Sequence, residues 1–182
     1  YSFKLASPVF SKDPTDTNKA LDAFQAFINT YPNSSKIEEA NKHYKEIRYK
    51  LQQKYFEIAK TYYRTAGYDM RNYKAAIQAF DNLLSEYLGS EFKEEALYYR
   101  LKSAHDFVLK STDRRKKDRI TDAIEAYGKL KRNYPTSKFM EESNEMLATL
   151  EKEQKRVDSI IAKIEKEQKE LKEKEEVNSK EK

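Results

Sequence analysis

The sequence has no cysteine, only three glycines and four prolines in 182 residues, and no apolar run near the length of a membrane span. Each shortage removes a class of protein. Without cysteine there is no disulfide framework, no thiolate nucleophile and no Cys-based metal site. With so few Gly and Pro, the turn-rich all-β and doubly wound α/β folds are out of reach. A spanning helix needs roughly 20 consecutive apolar residues. Tyr1–Phe10 also lacks the apolar stretch of a signal peptide. Tyr1 is not an initiator methionine, so the chain is expected to begin inside a longer protein, with any address or anchor upstream.

What is abundant is Ala, Leu, Lys, Glu and Gln, the better helix formers. Apolar residues make up 38% and charged residues 37%. That balance suits thin helical layers with much solvated surface, and the fold class is read as all-α. The formal net charge is +5. Glu151–Lys182 is balanced in charge, so the excess lies in the body of the chain. A surplus this small falls short of a nucleic-acid footprint, but it suits an acidic protein partner.

Aligned with itself, the chain shows one pattern three times. The first copy has Ala20 and Phe24, then Tyr31-Pro32 and Ser34. The second has Ala76 and Phe80, then Tyr87-Leu88 and Ser90. The third has Ala123 and Tyr127, then Tyr134-Pro135 and Ser137. Glu38-Glu39-Ala40, Glu94-Glu95-Ala96 and Glu141-Glu142-Ser143 continue the register past each turn.

The residue types follow from helix geometry. Ala followed four later by Phe or Tyr puts both on one helix face. The small residue admits a neighbouring helix, and the aromatic fills the space beside it. Tyr-Pro ends the helix, because Pro disfavours helical backbone in the residue before it. The Ser can cap the first amides of the next helix. The glutamates then sit in a first turn, where the helix dipole favours negative charge. Each copy therefore reads as helix, tight turn and capped helix, with Ala76 and Ala123 buried at close helix crossings.

This pattern resembles the tetratricopeptide repeat, in which Ala is followed by Phe four later and Pro eight after that. The first and third copies fit, with Tyr127 in the aromatic place; in the second, Leu88 replaces the proline. Ala59–Tyr63 before Gly67-Tyr68 resembles the first helix of the consensus. The copies begin 56 and 47 residues apart, more than the usual repeat, so the intervening helices are long. Lys36–Ala66 has no Pro or Gly; it is either one helix of roughly 46 Å or two that break near Gln52-Gln53.

The order of these features is more specific still. Asp13-Pro14 before Ala20, the Tyr-Pro-Asn-Ser turn at Tyr31–Ser34, Tyr62-Tyr63 before a short turn, and Lys74–Tyr87 resemble the BamD family. These are outer-membrane assembly lipoproteins of Gram-negative bacteria. The resemblance covers roughly Asp13–Glu151, the later repeats of that family. It implies a lipid-tethered adaptor on the periplasmic face of the outer membrane. The implied partners are the periplasmic domains of the barrel-assembly protein BamA, other subunits of the assembly complex, and unfolded barrel-protein segments. The implied membrane contact is an upstream lipid anchor alone. No cofactor and no nucleic acid is expected.

Catalytic chemistry finds no footing. His43 and His105 are isolated, with no second His four residues away to form a helical metal pair. Gly67, Gly89 and Gly128 stand alone, so no phosphate loop is present. The adjacent glutamate pairs do not face each other on a helix. No enzyme is expected.

Two stretches are candidate partner contacts. Tyr68, Arg71 and Tyr73 are read as an exposed inter-helix loop rich in residue types enriched at interfaces. Arg114, Arg115, Lys116 and Lys117 are read as a second loop, either merely solvated or in contact with an acidic surface. The fourteen tyrosines either pack between helices or line a concave groove for extended peptides; one solenoid can use both faces.

Residues 1–17 are read as an N-terminal loop, 18–150 as the repeat array and 151–182 as a charged helix that frays at its end. In that helix Leu150, Val157, Ile164 and Leu171 recur every seven residues, joined by Leu147, Ile160 and Ile161. This is a narrow apolar seam, either capping the last repeat or docking a partner helix. Two functions remain open. One is the outer-membrane assembly adaptor; the other is a tetratricopeptide co-chaperone or regulatory scaffold in another compartment. RNA binding is disfavoured, since the basic residues are interleaved with acids.

Overall fold

The computed structural model describes residues 15–180, with 173–180 described as backbone only. Six α-helices account for nearly all of it: α1 (Thr15–Thr30), α2 (Ile37–Thr65), α3 (Arg71–Glu86), α4 (Lys93–Leu109), α5 (Asp113–Asn133) and α6 (Met140–Lys180). The protein is all-α, a tetratricopeptide-like helical repeat with a long last helix. Of the expected N-terminal loop, residues 1–14 lie outside the described part. Thr15–Thr17 already belong to α1, and Thr17 is buried.

The three turns after α1, α3 and α5 share one hydrogen-bond scheme. The amides of Tyr31, Tyr87 and Tyr134 close the last helical bond onto Phe27, Leu83 and Leu130 at 2.8–3.0 Å. Each tyrosine carbonyl then accepts from the serine three residues on, and each serine carbonyl accepts from Ile37, Lys93 or Met140, the first residue of the next helix. The hydroxyls of Ser34, Ser90 and Ser137 accept from the amides of Lys36, Phe92 and Phe139 at 3.1–3.2 Å. A serine side chain thus stands in for backbone in each turn. Tyr87 and Tyr134 leave helical geometry in nearly the same way (φ −124° and −141°, ψ 66° and 68°). Leu88 therefore does what proline does in the other copies. Among the described residues no backbone has positive φ, which is how so few glycines suffice.

The chain divides into two compact units, one ending at Ser103 and one starting at Ala104, within α4. In the first, α2 is a single helix of 29 residues, about 44 Å long. Its length lets it serve two neighbours. Ala20 of α1 meets Ile47 and Leu51 of α2, with Phe24 packed alongside. One turn further on, Phe56 and Ala59 of α2 meet Ala76, Phe80 and Leu83 of α3, with Ala96 of α4. Ala59, Ala76, Phe80 and Ala96 are fully buried, and for Ala76 and Phe80 this is what the alanine-to-aromatic spacing predicts. Arg100 is buried and grips Asp81 through two 3.2 Å bonds.

In the second unit α5 and α6 pack antiparallel. Ala123, Leu130, Leu150 and Val157 are buried at 0–2% exposure. The Tyr127 hydroxyl donates to Asn144 Oδ1 at 2.7 Å. Of the repeat-signature residues, Ala20, Ala76, Phe80, Ala123 and Tyr127 are buried, while Phe24, Tyr87 and Tyr134 are half-buried. Tyr31 corrects the packing reading: it is 57% exposed, in tilted contact with Phe27 at a ring-centroid distance of 5.5 Å. Pro32 and Pro135 are exposed, as turn residues.

Candidate partner-binding surfaces

The turn between α2 and α3 is closed by successive backbone bonds: Tyr68 and Asp69 amides to the Thr65 carbonyl, then Asn72 to Asp69 and Tyr73 to Met70. Asn72 also donates through its side chain to Thr65 Oγ1 at 3.0 Å. On this short, tied frame Tyr68 stands 96% exposed beside Met70 at 42%. Asp69 holds Arg71 at three points. Its Oδ1 accepts from the Arg71 amide at 2.9 Å, and its two oxygens accept from the guanidinium at 2.7–3.1 Å. The Arg71 guanidinium keeps the Asp69 carboxyl below its ordinary range. An exposed tyrosine thus sits next to an arginine whose direction is already set.

Tyr73 does not join them. It lies inside α3, 6% exposed, against Tyr63 at a centroid distance of 6.4 Å. Its spacing to Ala76, Phe80 and Leu83 puts it on the buried face of α3, so Tyr73 is a core residue.

The basic run Arg114–Lys117 is not a loop. It forms the first turns of α5, which begins at Asp113. Arg114, Arg115 and Lys117 are exposed, whereas Lys116 is buried and donates to Glu153 Oε2 at 2.6 Å. Arg156 ties the same place together, donating to Glu153 at 3.2 Å and to Asp113. Lys116 keeps the Glu153 carboxyl below its ordinary range, with Arg156 adding to the effect. Three of the four cations face solvent and the fourth locks α5 to α6.

The tyrosines mostly pack. Tyr99 stacks on Phe80 and meets Tyr63 and Tyr98 at centroid distances of 5.1–6.1 Å. Tyr55 and Tyr87 meet where α2 passes the end of α3, 6.1 Å apart, with Arg48 over the Tyr87 ring at 5.8 Å. Burial pushes the Tyr87 phenol up to about 12, with Tyr55 and Glu86 adding and Arg48 opposing. Beside them is a cleft of about 140 Å³ lined by Tyr55, Ile58, Ala79, Asn82, Leu83 and Glu86. His43 lies between Glu39 and Glu46 at 4.0 and 3.8 Å, and His105 lies beside Asp106 at 2.9 Å. Among the described residues no group of three His, Cys, Asp or Glu side chains could hold a metal, and no helix is long and apolar enough to cross a membrane.

Paired helices joined by a recurring serine turn define a helical-repeat protein of the tetratricopeptide kind. The chain belongs to the YfiO (BamD) family of outer membrane lipoproteins, whose model matches residues 3–117 and again 65–172. The two matches overlap at residues 65–117, as an internal repeat would produce. The family consists of non-catalytic lipoproteins, and membership implies a role in outer-membrane protein assembly. No curated protein matches the chain.

Proposed function

We propose that the chain is a non-catalytic adaptor of the outer-membrane β-barrel assembly machinery, lipid-anchored at the periplasmic face. In this reading it binds the periplasmic region of the barrel-assembly protein through the α2–α3 turn. The observation that carries it is Tyr68 at 96% exposure next to an Arg71 already oriented by Asp69. Tyr and Arg are the side chains that dominate binding energy at protein interfaces, and a prearranged arginine loses less freedom on docking. Arg114, Arg115 and Lys117 offer a second, more diffuse contact to an acidic surface of the same partner. The cleft lined by Tyr55, Ile58, Ala79 and Leu83 has the size for one side chain of an unfolded barrel-protein segment.

The test is a pull-down with the periplasmic region of the barrel-assembly protein at two salt concentrations. Tyr68→Ala with Arg71→Ala weakens association at both. Charge reversal at Arg114, Arg115 and Lys117 weakens it chiefly at low salt, because exposed charges are screened. Full binding by both variants, with unchanged melting curves, would remove these surfaces from the interface.

A further inference from the structure

The first residue of α5, Asp113, is paired with Arg156 of α6, so α5 stops covering α6 at that level. The apolar seam of α6 does not stop there. Leu150 and Val157, under α5, are buried at 0% and 2%. One and two heptads further along the same face, Ile164 and Leu171 are 47% and 59% exposed, and Ile160 and Ile161 are half-buried. A helix held in solvent for its own sake needs no such residues at the seven-residue spacing of a docking seam. At the point where the cover ends, Lys110, Arg114, Arg115 and Lys117 are exposed and bind no described carboxylate. The nearby carboxylates Asp113 and Glu153 are engaged instead by Arg156 and Lys116. Three of the four exposed cations stand at the start of α5, where the helix dipole opposes positive charge.

We propose that this step is the docking site of an acidic amphipathic helix from another protein. The helix lies on the Ile164–Leu171 seam in line with α5 and presents its acidic side chains to Lys110, Arg114, Arg115 and Lys117. Continuity with the α5–α6 contact gives the position, and charge gives the partner. A second copy of this chain fits less well. Its own seam is flanked by alternating Lys163, Glu165, Lys166, Glu167, Lys169 and Glu170, and its own cationic step would repel this one.

The experiment uses the full chain and two labelled synthetic helical peptides of roughly three heptads. They share one leucine stripe; the remaining positions are glutamate in one and lysine in the other. Fluorescence anisotropy is read at low and high salt. The glutamate peptide binds and the lysine peptide does not. Ile164→Asp with Leu171→Asp weakens the glutamate peptide on the order of tenfold or more. Arg114→Glu with Arg115→Glu and Lys117→Glu shifts preference to the lysine peptide at low salt. These side chains are exposed, so the melting curves remain those of the parent chain. Equal binding of the two peptides, or no loss in the Ile164/Leu171 variant, would overturn the proposal. So would a parent chain that is dimeric and becomes monomeric on Ile164→Asp, since the seam would then serve a second copy. Because the barrel-assembly protein is absent from this assay, its outcome is independent of the pull-down above.

Discussion

The ammonium of Lys116 and the carboxylate of Glu153 meet 2.6 Å apart between α5 and α6, with the lysine side chain only 8% exposed. Arg156 supplies a second hydrogen bond to the same carboxylate. Taking one partner away leaves the other charge poorly solvated, whereas replacing both with apolar groups of similar size removes the problem. Lys116→Ala should therefore cost about 1–3 kcal/mol, and Lys116→Met with Glu153→Leu should recover most of it. Chemical denaturation of the two variants checks this.

The same pair makes a pH prediction. The folded carboxyl of Glu153 lies below its ordinary value of 4.5, so in acid the unfolded chain binds a proton that the folded chain resists. The stabilisation is complete above the unfolded value and is lost as pH falls through it toward the folded one. Between pH 6 and pH 3 the parent should lose more thermal stability than Glu153→Gln. Parallel melting curves across that range would contradict the assignment.

Ala76 is fully buried in the cluster that Phe56 and Ala59 form with Phe80. Ala76→Leu adds three carbons where two helices are already in contact. It should cost about 1–3 kcal/mol by overpacking, seen as a lowered denaturation midpoint. Ala76→Gly should also destabilise, by about 1 kcal/mol, through helix propensity. The leucine variant distinguishes a close crossing from a cavity, since a cavity would accept the added carbons.

Much of this was legible because three copies of one spacing repeat one physical solution. Ala76 and Phe80, four residues apart, could only share a face. Ser34, Ser90 and Ser137 stand at one offset because they close one turn. The surface was harder. Arg114–Lys117 reads as a loop when judged by charge, but Lys116 is four residues before Ile120 and seven before Ala123, on the buried face of α5. Its long apolar stem reaches under α6 while the ammonium finds Glu153, and a charge count does not register that snorkelling. Tyr73 fails for the same reason in reverse: it is three residues before Ala76, and helix register outweighs its nearness to the turn. Glu153 as the partner of Lys116 lies 37 residues away, and only the tertiary packing joins them.

The shared serine turns carry a further expectation. Ser137 Oγ accepts from the Phe139 amide at 3.1 Å ahead of α6, and Ser90 does the same for Phe92 ahead of α4. The oxygen serves the turn amide just ahead of each helix, so Ser137→Ala and Ser90→Ala should each cost about 0.5–1.5 kcal/mol, the net worth of one hydrogen bond. Ser90 is buried and Ser137 half-buried, so the Ser90 variant should fall at the higher end. Threonine keeps the oxygen and should restore most of the loss in either turn.

Asp69 separates a structural from a prearranging role at the α2–α3 turn. Its Oδ1 accepts from the Arg71 amide, while its charge holds the Arg71 guanidinium. Asp69→Asn keeps an oxygen for the amide but removes the ion pair, so the turn stays closed and Arg71 is released to move. The pair is exposed, with the Arg71 side chain at 90%, and surface pairs contribute little to stability. The melting curve of Asp69→Asn should therefore overlay that of the parent. If the arginine docks in the direction Asp69 gives it, the variant must order that side chain on binding. Association with the barrel-assembly protein should then weaken by on the order of threefold to tenfold. Arg71→Ala should weaken it further, and Asp69→Asn should add nothing once Arg71 is gone. A titration of the single and double variants decides the matter: independent, additive losses would mean that Asp69 contacts the partner itself and does not act through Arg71.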